Sequence, residues 1–301
     1  MAGRYPRGGK QTRGVSPVQG RGRHRCVPGR PAFIRWHFPV GRWHLCHWAD
    51  TGGASSVGGD RGGGTGPGAF LEVDPVRKPV HIQIVLFDGF DPLDVVAPFE
   101  VLHAGGTATG GAVSVELVSA EGPREVVSGT GGMALRAAGS LDPARPGVVL
   151  LPGAAGPLGE PPGEDGEPEP GSIPVLLAAT LATSLPGLLA EAVGDAAVVV
   201  AGVCGGSLIP AMAGLLEGRH ATTHHLGLDL LDAAGVHAVR ARVVDDGDLV
   251  TGAGVTSGLD LALYLLEREA GPRVAHAVEE LFAYERRGTV WRATGPVPAA
   301  F

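Results

Sequence analysis

The chain has 301 residues, 44% of them hydrophobic, with 50 Gly, 25 Pro and a formal net charge of −7. That is enough apolar sequence for the core of one domain of about 200 residues, with length to spare. Only one of the three cysteines, Cys204, lies beyond position 46, which excludes a disulfide framework; neither Lys10 nor Lys78 precedes Ser or Thr, which excludes a phosphate-cradling P-loop.

The charge is unevenly spread. Residues 1–80 carry 13 basic and 4 acidic side chains, a net of +9, so the remainder stands at −16. Residues 1–78 are rich in Gly, Arg, Ser and Pro and lack hydrophobic periodicity, which predicts a disordered tail. Within it His24, Cys26, His44, Cys46 and His47 resemble a zinc-ligand set but follow none of the usual finger spacings, so no metal is expected. The N-terminus lacks the layout of a signal peptide, and no apolar run approaches the ~18 residues of a membrane span. A cytoplasmic protein without membrane contact is expected.

Order begins at Val80–Phe87, an apolar strand. Asp91-Pro-Leu-Asp94 then opens a helix through Leu102, with Asp91 as N-cap and Pro92 at the first position. Val113–Val118 reads as a second strand, with weaker ones at 126–130 and 133–135. Val148–Leu151 is another and leads into Pro152-Gly153-Ala154. The acidic Pro/Gly stretch 156–171 reads as a surface loop, and Ile173–Ala192 as a helix. The first half of Val198–Ser207 is a short, apolar, β-branched run that reads as a strand of the fully buried kind, with the turn beginning at Gly202. It runs into Cys204-Gly205-Gly206 and an apolar helical pattern from Leu208 to Leu216. After Thr222-Thr-His224-His225 comes a helix through Leu231. Strands at 239–244 and 249–251 flank the turn Asp245-Asp-Gly-Asp, and two amphipathic helices follow at 255–269 and 272–285. Strands that alternate with helices predict an α/β fold with a doubly wound, mostly parallel sheet. The domain is expected over 79–292, with 293–301 as a C-terminal tail.

Strand, tight turn and helix with a nucleophilic residue at the apex is the logic of a nucleophile elbow, here with Cys204. At a helix N-terminus, backbone N–H groups and the macrodipole favour the thiolate. A plain buried thiol in a Gly-rich turn fits the same residues. Asp94 and His224, the latter 20 residues beyond Cys204, fall at the same carboxyl edge of the sheet. Both are catalytic candidates; a dipole-balancing carboxylate and a solvated loop histidine are the plainer readings. Gly153, Ala154 and Gly205 are positioned to offer backbone N–H groups to an oxyanion.

Taken together, Asp94-Val-Val-Ala-Pro98, Val148–Gly153, Ala201-Gly-Val-Cys-Gly-Gly206, Ala221-Thr-Thr-His224 and Gly254-Val-Thr-Ser-Gly258 resemble the DJ-1/PfpI family of the class I glutamine amidotransferase-like superfamily. The resemblance covers residues 80–292. It implies a flavodoxin-like sandwich, usually a homodimer, with a nucleophilic Cys204 and an acidic residue of the first helix touching the thiol. Asp rather than Glu at position 94 is similar to the isonitrile hydratase branch and to sensing domains of AraC-type regulators. That branch has Thr directly after the cysteine, where this chain has Gly205. The expected function is a cysteine-dependent hydratase or hydrolase acting on a small electrophile, with no cofactor. The alternatives are a glyoxalase III or deglycase-like enzyme and a non-catalytic redox or ligand sensor. The segment after the last helix is too short for a helix-turn-helix, so no nucleic-acid partner is expected.

Overall fold

The computed structural model describes residues 79–159, 169–296 and 299, so the expected N-terminal tail, its Cys/His set, most of the acidic loop and four of the last nine residues lie outside the described residues. What is described belongs to one compact unit, Pro67–Phe301. β1 (Val80–Leu86) is followed by α1 (Pro92–Ala108) and β2 (Val113–Ser119). A hairpin of β3 (Arg124–Val127) and β4 (Ala134–Ala137) precedes the two-residue β5 (Gly139–Ser140) and then β6 (Gly147–Leu151). Next come α2 (Ile173–Thr180), α3 (Leu185–Gly194), β7 (Val198–Val203), a 3₁₀ turn over Cys204–Ser207 and α4 (Leu208–Met212). The remaining elements are β8 (His220–Ala221), α5 (Leu228–Ala233), β9 (His237–Ala238), β10 (Val243–Asp245), β11 (Leu249–Gly252), α6 (Ser257–Ala270), α7 (Pro272–Phe282) and β12 (Trp291–Arg292).

Eight strands form one sheet in the order β12-β10-β11-β7-β6-β1-β2-β5. Every pairing is parallel except β10 with β11, the hairpin expected across Asp245–Asp248. The central strands explain their own composition. Ile82 to Leu86, Val148 to Leu151 and Val200 to Val203 are buried in succession, because helices cover both faces. α1, α6 and α7 pack together on one side, α2 to α5 on the other. The α1–α6 contact is close: a Cβ on Gly105 would lie 2.4 Å from Leu266. The fold is a doubly wound α/β sandwich, as the alternating pattern predicts, of the flavodoxin-like kind that the resemblance implies.

Two helices depart from the sequence reading. The single helix expected over 173–192 breaks into α2 and α3, which meet at 70°. Pro186 lies in the first turn of α3, and just before it the Thr183 hydroxyl accepts the Leu185 N–H at 3.1 Å in a local turn that separates the two helices. α4 runs only to Met212, short of the expected Leu216, with Gly214 at φ +74° just beyond.

β1 sits where the strand order reverses: α1 carries the chain to β2 on one side, and β6 and β7 lie on the other. In open α/β sheets ligands bind in the crevice at the carboxyl ends of strands at such a switch point. Just beyond the ends of β1, β6 and β7 lie Asp94 in the first turn of α1, Gly153 in a loop and Cys204 in the 3₁₀ turn.

Candidate active site

Cys204 leaves β7 with φ +54°, a left-handed conformation that costs a non-glycine residue about 1–3 kcal/mol. Three hydrogen bonds hold it there. Its N–H donates to Ala253 O at 2.9 Å, and the Thr223 hydroxyl donates to its carbonyl at 2.7 Å. The Ser207 hydroxyl, 3.5 Å from that carbonyl, also donates to Thr222 O at 2.9 Å. The stretch Thr222-Thr223 thus clamps the elbow, a positioning role the sequence reading missed although both residues flank His224.

The glycines around the cysteine do unequal work. A Cβ on Gly206 would sit 2.0 Å from Leu151 O, and one on Gly202 would sit 2.8 Å from Ser207 N, so both positions require glycine. At Gly205 the nearest atom to a Cβ is Leu177 Cδ1 at 3.4 Å, ordinary contact. We therefore expect Gly205→Thr to fold with stability within about 1 kcal/mol of wild type by denaturant titration. A loss of several kcal/mol would show that the turn tolerates no side chain there.

Asp94 lies in the first turn of α1 and is fully buried, at 0% exposure. Asp91 caps the helix as expected, its Oδ1 accepting the Leu93 N–H at 2.9 Å. The Gly153 N–H donates to Asp94 Oδ2 at 2.9 Å, and an added Gly153 Cβ would lie 2.7 Å from Gly205 N. The ends of β1, β6 and β7 therefore converge on Gly153. This alters the expected role of Gly153: its N–H is engaged by Asp94 and so positions the acid, leaving Gly205 and Ala154 as the candidate oxyanion donors. Ala154 is buried and bridges to Phe90.

The other carboxyl oxygen, Asp94 Oδ1, is buried with no donor at bonding distance among the described residues. The Cys204 thiol is the side chain that interacts with this carboxyl. Burial pushes the Asp94 carboxyl up to about 8; the Asp91 charge adds to the rise, and the Gly153 N–H and Cys204 thiol oppose it. Burial also pushes the thiol up; Asp94 and Asp91 add to the rise while the Gly205 N–H opposes it. The expected thiolate-favouring elbow is corrected accordingly. α4 has only five residues, and its end field is outweighed by desolvation and by carboxylates that have no cationic partner. Both shifts favour the protonated forms, a carboxylic acid beside a thiol.

His224 is not joined to them. Among the described residues no hydrogen bond links it to Cys204. Its Nδ1 accepts the Leu226 N–H at 3.3 Å, which places any single ring proton on Nε2. The ring lies tilted at 39° against His225 with centroids 4.2 Å apart, and its edge lies against Gly254. Burial and then His225 lower its pKa, which favours the neutral imidazole. No cluster of three or more metal-ligating side chains occurs among the described residues.

A cysteine on a strained turn between a buried strand and a short helix, facing a buried acid across a glycine contact, defines the class: a flavodoxin-like domain with a cysteine elbow. Residues 182–268 match the model of the DJ-1/PfpI family. Over that stretch, which holds Cys204 and His224, the chain is similar to the DJ-1/PfpI family. It is 46% identical over 85 residues to an isonitrile hydratase of Pseudomonas putida, which is 28% of this chain and 37% of that protein. It is 35% identical over 91 residues to the HTH-type transcriptional regulator CdhR of Pseudomonas aeruginosa, covering 30% and 27%. The alignments thus span about a third of these relatives' lengths. Among solved structures, a ThiJ/PfpI family protein from Pseudomonas syringae superposes with TM-score 0.57 at 25% identity, covering 74% of this chain and 83% of that one.

Proposed function

We propose that the protein is a cysteine-dependent enzyme of the hydratase kind, acting on a small electrophilic carbon in the manner of an isonitrile hydratase. The observation that carries this reading is the Asp94–Cys204 pair, a fully buried acid with one oxygen unpartnered, its pKa raised by burial, beside a thiol on a strained elbow. An isonitrile needs both a proton and a nucleophile at one carbon, and a neutral carboxylic acid next to a thiol supplies them together. The unpartnered Oδ1 gives its proton to the carbon as sulfur adds, and the carboxylate then takes the thiol proton. The product is a thioimidate on Cys204. Water adds to that carbon, and collapse returns the thiol and releases an N-substituted formamide, so the net change is addition of one water. Gly205 and Ala154 N–H groups steady the developing negative charge, and His224 borders the substrate.

A second reading, a ligand-sensing domain, is favoured by the regulator among the relatives and by the absence of a Cys204–His224 link. Under it nucleic acid enters as the partner of a regulator, against the expectation from sequence. A homodimer and a cytoplasmic location are carried as proposals from the family resemblance. No single described helix is long and apolar enough to cross a membrane.

The experiment is a panel of alkyl and aryl isonitriles with wild type and Cys204→Ala. Formamide produced by wild type and reduced to background in the variant is the expected result. No formamide from folded wild type on any member would leave the sensor reading in its place.

A further inference from the structure

We propose that Asp91 is a specificity-determining residue: its carboxylate, with no cation against it, gives the Cys204 site a negative field that turns away anionic electrophiles. The inference rests on the reading of Cys204 as a nucleophile and narrows its substrates to uncharged ones.

The placement follows from the backbone. The Asp91 N–H donates to Gly153 O at 2.8 Å, and Gly153 in turn holds Asp94 through its own N–H and lies against Gly205. Phe90, one residue earlier, bridges to Ala154. Asp91 is thus fastened to the same strand end that joins the acid to the elbow, and its charge bears on both Asp94 and Cys204. Among the described residues no ion pair reaches Asp91 or Asp94. Arg124, on the hairpin whose Val127 carbonyl accepts the Gly89 N–H, is drawn to Asp88 at 3.0 Å and Glu121 at 3.3 Å. Burial and His225 favour the neutral form of His224. Asp91 is half-buried and has no ion pair among the described residues, and a carboxylate so placed near the Cys204 thiol repels like charge at short range, most strongly at low ionic strength. An incoming carboxylate, such as that of a keto acid or an aldehyde acid, meets this repulsion, and a neutral isonitrile or simple aldehyde does not.

The test uses two alkylating agents of similar size and the same leaving group, neutral iodoacetamide and anionic iodoacetate. Labelling of the Cys204 peptide is followed by mass spectrometry in the folded full-length chain at low ionic strength. The amide-to-acid rate ratio is divided by the same ratio for the unfolded chain. A corrected preference of about tenfold for the amide is expected in wild type, falling severalfold in Asp91→Asn. Asn caps a helix as well as Asp does, and Asp91→Ser, also a capping residue without charge, serves as the second variant. Added salt is expected to narrow the ratio in wild type more than in either variant. A corrected ratio near one in wild type, or one that neither substitution changes, would overturn the proposal and leave Cys204 as a nucleophile. No labelling of folded Cys204 by either reagent would remove the nucleophile and this inference together.

Discussion

Asp94→Asn is expected to lower turnover by about 10²–10⁴-fold while the domain stays folded. The amide keeps the shape of the carboxyl, and its oxygen still accepts the Gly153 N–H, but it carries no transferable proton. The same variant has a second signature. Asp94 rises from 3.8 to about 8 on folding, so between these values the native state holds a proton that the unfolded chain releases. The stability this provides is fully present below the unfolded value and is lost as pH rises through the folded one. Wild type therefore loses up to ~1.4 kcal/mol per pH unit across that window, and Asp94→Asn lacks this slope. Thermal unfolding of both proteins from acid to mildly alkaline pH checks it: the curves converge at the acid end, and the variant is the more stable at the alkaline end. Parallel curves, or unchanged turnover, would take Asp94 out of the site.

Gly206→Ala is expected to cost about 3 kcal/mol or more, or to prevent folding, because the new methyl would meet the Leu151 carbonyl at 2.0 Å. The obstacle is backbone of the neighbouring central strand β6, so no rotamer change relieves it. Opening the turn would also release the clamp that Thr223 and Ser207 place on the Cys204 carbonyl. Denaturant midpoints of Gly206→Ala and Gly205→Thr make the comparison internal, since adjacent glycines of one turn are expected to differ by several-fold in cost. Equal midpoints would mean that the elbow adjusts freely and that the strain at Cys204 is not fixed by packing.

The fold was readable where its cause is local. Val80–Leu86, Val148–Leu151 and Val198–Val203 are short apolar runs because both faces of those strands are covered, and Asp91-Pro92 marks the start of α1 by capping chemistry alone. The two-residue strands β5, β8, β9 and β12 carry no period, and their pairing depends on distant partners. The break between α2 and α3 is written in Thr183 and Pro186, a signal outweighed by the continuous apolar pattern around it.

The site divides in the same way. A cysteine between glycines is a local pattern and was legible. The Gly153–Asp94 bond joins residues 59 apart in sequence, so nothing near Gly153 announces that its N–H is engaged. The direction of the thiol shift was misread for a related reason. The helix-end field is a local feature, whereas burial and the Asp91 and Asp94 charges come from the assembled sheet edge. The clamp on Cys204 likewise comes from Thr223, 19 residues away, and a threonine in a Thr-Thr-His-His run carries no mark of it.

The central claim, a protonated Asp94 beside the Cys204 thiol, is tested most directly by an infrared difference spectrum between wild type and Asp94→Asn near neutral pH. The account predicts the carbonyl stretch of a buried carboxylic acid in wild type, converting to carboxylate bands as pH rises through about 8. Carboxylate bands already present in mildly acidic solution, with no acid carbonyl stretch, would contradict it.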